Sequence, residues 1–189
     1  MKRLRPTDYT RMAWKNGLGA TTEIYRHDAP DGTMLWRVSI AGVAEDGPFS
    51  VFEGYDRHIM TIAGRGMVLE GGPDGPIRVA PTFEPAFFSG DWTITARLLG
   101  GAVRDFNLIA RRGHVRARLG SIYLTSPWES EPGQAEMLFH VLSGRPNING
   151  QTCEAGDTVI LAPGEQLTAV PGPDGARLAV CEVQPAGDQ

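Results

Sequence analysis

Imidazole serves both metal binding and proton transfer, so the histidines are the first residues to weigh for chemistry. There are four: His27, His58, His114 and His140. None stands two residues from another, and no spacing supports a three-histidine site. His140 lies in an apolar run and reads as a satisfied core residue. His58 follows Arg57 at a strand start, with either role open; His27 and His114 read as surface. Neither cysteine, Cys153 or Cys181, sits in a C-x-x-C pair, and no serine occupies a G-x-S-x-G elbow. Gly17-x-Gly19 lacks the third glycine and the βαβ setting of a dinucleotide loop. No catalytic residue, metal ligand or cofactor is therefore expected. A polar pair remains: Arg37 and Ser39 share one strand face, opposite Trp36 and Val38. If that face lines a cavity, the planar guanidinium suits a carboxylate; if Trp36 packs between sheets, Arg37 is merely solvated.

The elements that must carry these residues are strands. In residues 35–41 Trp36, Val38 and Ile40 alternate with Arg37 and Ser39, and residues 93–99 alternate in the same way. Residues 136–142 are apolar on both faces, as in a central strand. Further strands are expected at 22–26, 59–63, 67–70, 77–80, 106–110, 121–125, 158–161 and 177–183. No helical stripe runs for three turns. Turn sequences are dense, with 24 Gly and 14 Pro among 189 residues. Many short strands at close spacing indicate an all-β sandwich or barrel. A β run ending in a small residue and Gly-Arg occurs twice, with Gly64 and Gly144 80 residues apart.

Hydrophobic residues make up 41% and charged residues 21%, ordinary values for a globular chain. A net charge of −4 argues against a phosphate-neutralising nucleic-acid surface. Lys2 and Lys15 are the only lysines among 18 basic residues, a bias that most simply follows base composition. The charged N-terminus has no apolar core of a signal peptide, and no stretch approaches a membrane span. With two thiols free by expectation, a cytoplasmic protein is anticipated.

After Gly144-Arg145, the run Gly156-Asp157-Thr158-Val159-Ile160-Leu161-Ala162-Pro163-Gly164 resembles the small jelly rolls called cupins. Upstream stand the Trp14–Ile24 segment WKNGLGATTEI, then Trp36-Arg37-Val38-Ser39-Ile40-Ala41, Gly47-Pro48-Phe49-Ser50, Asp56-Arg57-His58 and Arg104-Asp105-Phe106-Asn107. In this order they resemble the HutD/Ves family of bicupins. The resemblance implies an all-β bicupin, two jelly-roll β-barrels packed together with little helix. Residues 1–189 would be a single compact bicupin unit, with halves at approximately residues 1–125 and 126–189. The H-x-H, Glu and third His of metal-dependent cupins are missing; after Pro163-Gly164 come Glu165-Gln166-Leu167. Leu18 stands in a loop that is usually richer in glycine, which bears on whatever that loop contacts.

The family motifs carry Asn16, Thr21, Glu23, Arg37, Ser39, Ser50, Arg57 and Asn107, and the resemblance makes these the expected ligand-binding residues. Asn, Thr and Ser donate and accept, and Arg matches a carboxylate bidentately. Asp105 and Glu23 are alternatively holders of the arginines as buried ion pairs. The family's association with histidine utilisation implies a non-enzymatic regulator or sensor that binds a small carboxylate, with urocanate or formylglutamate as candidates. A metal-independent enzyme and a protein–protein scaffold are the rival readings. No nucleic acid or membrane partner is expected, and a homodimer is left open.

Overall fold

The computed structural model describes residues 1–14, 19–131 and 133–187. The chain forms two compact units, Thr10–Val115 in one and Met1–Tyr9 with the chain from Arg116 onward in the other. Strands are numbered in chain order.

In the Thr10–Val115 unit, six strands form one antiparallel sheet in the order β2 (Thr10–Ala13), β3 (Gly19–Asp28), β4 (Met34–Val43), β11 (Val103–Arg111), β6 (Tyr55–Ala63), β9 (Pro85–Ser89). A second sheet runs β5 (Gly47–Pro48), β10 (Thr95–Leu98), β7 (Met67–Glu70), β8 (Ile77–Val79). Alternation explains the packing. Ile59, Phe88, Val43 and Val103 from the large sheet meet Met67, Leu69, Val79 and Ala96 from the small one in a shared core. The opposite face of β4 and β11 is apolar and buried too, with Trp36, Val38, Phe106 and Leu108.

The other unit repeats the plan. One sheet runs β1 (Lys2–Leu4), β17 (Thr158–Leu161), β14 (Glu136–Gly144), β19 (Ala176–Pro185), β12 (Val115–Leu124). Its companion runs β13 (Trp128–Ser130), β18 (Leu167–Val170), β15 (Asn147–Ile148), β16 (Gln151–Thr152). Phe139, Val141, Val159, Leu161 and Leu178 pack against Ile148, Leu167 and Ala169. In each unit the two sheets stay separate, so the expected jelly rolls are open sandwiches.

β12 belongs to a sheet of the second unit, and the chain changes unit near residue 115. The N-terminus follows it because Leu4 pairs with Thr158 and Lys2 with Ile160. Residues 128–130 form β13, paired with β18. Short edge strands such as β1, β2, β9 and β13 carry too few residues for alternation to register. The only helix among the described residues is a three-residue 3-10 turn at Pro6–Asp8. None is long and apolar enough to cross a membrane.

Candidate functional site

Register places the polar residues in rows across the inner face of the six-stranded sheet. Directly paired residues share a face. Arg37 pairs with Ile109, and Ile109 with Arg57. Glu23 pairs with Ser39, Ser39 with Asn107, and Asn107 with Ile59. Thr21 pairs with Ala41, Ala41 with Asp105, and Asp105 with Thr61. One strand separates the two arginines, so their Cα atoms stand about 10 Å apart. Their heads converge nevertheless. The Arg37 guanidinium lies 5.2 Å from the centroid of the Phe52 ring, and that of Arg57 lies 5.5 Å from the same ring. Phe49 and Phe88 complete the wall around Arg57, at 5.1 and 4.9 Å.

These side chains bound a cavity of about 510 Å³ whose lining includes Trp14, Thr21, Arg37, Ser39, Phe49, Ser50, Phe52, Arg57, Asp105 and Asn107. Arg57 is 5% exposed and held in place: Nη1 donates to the Ser50 carbonyl at 3.2 Å and Nη2 to Asn107 Oδ1 at 2.8 Å. Asn107 Nδ2 in turn donates to Asp105 Oδ1. Arg37 is held less tightly. Its nearest carboxylate, Glu23, is 3.9 Å away, an ion pair beyond hydrogen-bond distance. The Nε of each arginine and Oδ2 of Asp105 are buried with no hydrogen-bond partner among the described residues.

Burial sets the electrostatics. Desolvation pulls Arg57 down to about 10, with Asp105 opposing the shift and Arg37 adding to it. Arg37 is lowered by the same cause, partly offset by Glu23. Asp105 is fully buried, and desolvation pushes it up to about 7 against the pull of Arg57 and the Asn107 hydrogen bond. At neutral pH both arginines remain charged, so the cavity is cationic.

Of the residues anticipated from sequence, Thr21, Arg37, Ser39, Ser50, Arg57 and Asn107 all line this cavity. Ser50 contributes its backbone carbonyl to Arg57, and the Thr21 hydroxyl accepts from Trp14 Nε1 at 2.9 Å. Glu23 stands behind Arg37 as its counter-ion. Asn16 and Leu18 lie outside the described residues. Sequence reasoning passed over the phenylalanine wall and placed Asp105 only as an arginine partner. Phe49 lies inside a quoted motif, and an aromatic beside arginine-bearing strands is the signal that was available.

The histidines are dispersed. His140 is buried against the Thr158 hydroxyl at 2.8 Å, His27 stacks on Trp36, His58 contacts Phe87, and His114 lies near the Arg112 carbonyl. Among the described residues no three His, Cys, Asp or Glu side chains cluster as metal ligands. A turn network steadies the rim that carries Phe52. Arg112 binds Asp56 and Asp91, and Asp91 accepts from the Gly54 amide.

A model of the HutD family matches residues 6–179. A 21.2 kDa protein from the region 3′ of hutC in Pseudomonas putida is 47% identical over 120 residues, 61% of this chain and 61% of its own length. Protein Ves of Citrobacter koseri is 34% identical over 107 residues, 56% of each chain. The aligned region thus spans less than two thirds of either relative. The structure of HutD from Pseudomonas fluorescens SBW25, in a formate condition, superposes with a TM-score of 0.83 at 31% identity, covering 98% of this chain and 99% of that one. Oxalate decarboxylase from Lactobacillus farciminis, in a formate complex, superposes with a TM-score of 0.68 at 9% identity, covering 96% of this chain and 85% of that one. That likeness concerns the cupin-type fold alone.

Proposed function

The chain belongs to the HutD family, and from that premise we propose that it is a cytoplasmic, non-enzymatic sensor or regulator in histidine catabolism. It takes a small carboxylate into the cavity between Arg37 and Arg57. The observation that carries this reading is the convergence of two largely buried guanidiniums on one phenyl ring, each with an unpartnered Nε. A buried cation needs a counter-charge, and a carboxylate between two forks supplies it with charge-assisted hydrogen bonds. The apolar wall excludes water and strengthens that attraction. A volume of about 510 Å³ falls in the range of small-molecule sites. Urocanate and formylglutamate are the natural candidates, since the P. putida relative is named for its place beside hutC. The two thiols, Cys153 and Cys181, are buried and free, in keeping with a reducing compartment.

Thermal unfolding with each acid tests the reading, because a ligand of the native state stabilises it by RT ln(1 + [L]/Kd). One of them is expected to raise the melting temperature at millimolar concentration without being consumed. Arg37→Ala should weaken binding by about 2–5 kcal/mol. Arg37→Lys should recover only part, since an ammonium lacks the fork. The exposed Arg116, in the other unit, is the control: Arg116→Ala should respond like wild type. If neither acid shifts the transition, both ligands are wrong. If one does and Arg37→Ala responds equally, the site is misplaced. Loss of the acid over time would make the protein an enzyme instead.

A further inference from the structure

The strand that carries Asn107 also carries a group that the arginines do not explain. Asp105 is fully buried and lines the same cavity. Its Oδ1 accepts from Asn107 Nδ2, while Oδ2 has no partner among the described residues. The neighbours that flank it cannot fill that gap. Its partner on β4 is Ala41, which has no donor. Its partner on β6 is Thr61, whose hydroxyl donates to the Val79 carbonyl at 3.0 Å. The nearest guanidinium group, on Arg57, is turned to Ser50 and Asn107. We infer that the acid bound here carries an N–H donor on the body leading away from its carboxylate, and that Asp105 Oδ2 receives that donor.

This inference rests on the carboxylate reading of the same cavity and names the class of acid. A buried carboxylate oxygen without a donor is unfavourable, and a ligand N–H supplies the donor that is missing among the described residues. Burial pushes Asp105 up to about 7, so its surroundings in the protein disfavour its charge and a donor brought by the ligand relieves that. Asp105 is among the residues that line the cavity. The amide of Asn107 bonds the Arg57 guanidinium on one side and the Asp105 carboxylate on the other, so the two lie one amide group apart. A short acid with a flat body along Phe49 and Phe52 spans that gap.

Calorimetric titration of two acids of equal shape provides the test: 3-(imidazol-4-yl)propanoate, which has a ring N–H, and 3-(furan-3-yl)propanoate, which has none. At about pH 8, where Asp105 is ionised, wild type should prefer the imidazole acid by about tenfold or more, as for a hydrogen bond to a charged group. Asp105→Asn should reduce the preference to within about threefold and leave furan-acid binding undiminished. Asn107 must still donate to an oxygen, so the new amide nitrogen sits where Oδ2 was and faces the ligand N–H. Equal binding of the two acids by wild type overturns the inference. So does an unchanged preference in Asp105→Asn. If both acids bind wild type equally and Arg37→Ala weakens both, the carboxylate reading stands and only the N–H donor falls. If wild type binds neither, both fall together.

Discussion

Asp105 holds its proton more tightly in the folded protein than a carboxyl does in the unfolded chain, about 7 against an ordinary 3.8. The sign of the linkage follows. Proton binding favours the folded state, so this residue's contribution is complete below about pH 4 and is lost as the pH rises through about 7. Urea midpoints taken at about pH 5 and about pH 8 should therefore fall more for wild type than for Asp105→Asn, which cannot ionise. Equal slopes would mean that Asp105 is not buried as described. Arg57 keeps its charge across this window, since burial lowers it only to about 10. The pair thus differs in kind: one member stays charged and the other is close to its midpoint at neutral pH. At this scale Arg37, Arg57 and Asn107 were legible in the sequence. The free oxygen of Asp105 was not, because it depends on what Ala41 and Thr61 lack or have already spent.

The Gly-Arg repeat has a structural counterpart in the strands that precede it. On β6, register with β11 slips at Ile62; on β14, register with β19 slips at Leu142. Each bulge is followed by a glycine at positive φ, +92° at Gly64 and +82° at Gly144. A Cβ on Gly64 would meet the Ala102 carbonyl oxygen at 2.6 Å, and one on Gly144 would meet that of Gly175 at 2.2 Å. Both glycines therefore serve a backbone crossing and not merely a turn. Gly64→Ala or Gly144→Ala should each cost about 2 kcal/mol or more, joining a left-handed penalty of about 1–2 kcal/mol to a collision. Gly32, at +82° in open space, is the control, and Gly32→Ala should cost about 1 kcal/mol. Chemical denaturation of the three variants measures the difference; equal losses would remove the crossing from the account.

Taken whole, the chain carries a net charge of −4 while enclosing a cationic cavity, so the arginines oppose the sign of the molecule that surrounds them. The N-terminal residues illustrate a long-range tie of another sort. β1 covers the edge of β17, Arg3 binds Asp157 at 2.6 Å, and the Tyr9 hydroxyl reaches the Gly156 carbonyl at 2.6 Å. A chain beginning at Thr10 would bare that edge and remove the cation beside a buried Asp157. Loss of a partner by a buried charged group costs roughly 1–3 kcal/mol or more. The melting temperature should fall by about 2–4 °C for each kcal/mol lost. Amide exchange along β17 should rise with it. An unchanged transition would show that β1 adds nothing to the second unit.

The amino-acid sequence by itself determined the strands with clear alternation, the recurrence of a β unit, and the sharing of one strand face by Arg37 and Ser39. All three are local properties, since the pleat turns successive side chains to opposite faces whatever lies beside them. Only the tertiary structure decided which fate Arg37 meets, because that depends on the residues opposite and not on the strand itself. β4, β11 and β6 are neighbours only through pairing of distant segments. That order brings Arg57 to Asn107 across 50 residues and sets Phe52 over both guanidiniums. The same reason explains the boundary near residue 115 and the capture of the N-terminus by β17. Hydrogen bonds between strands belong to the sheet, and no periodicity within one segment encodes its partner.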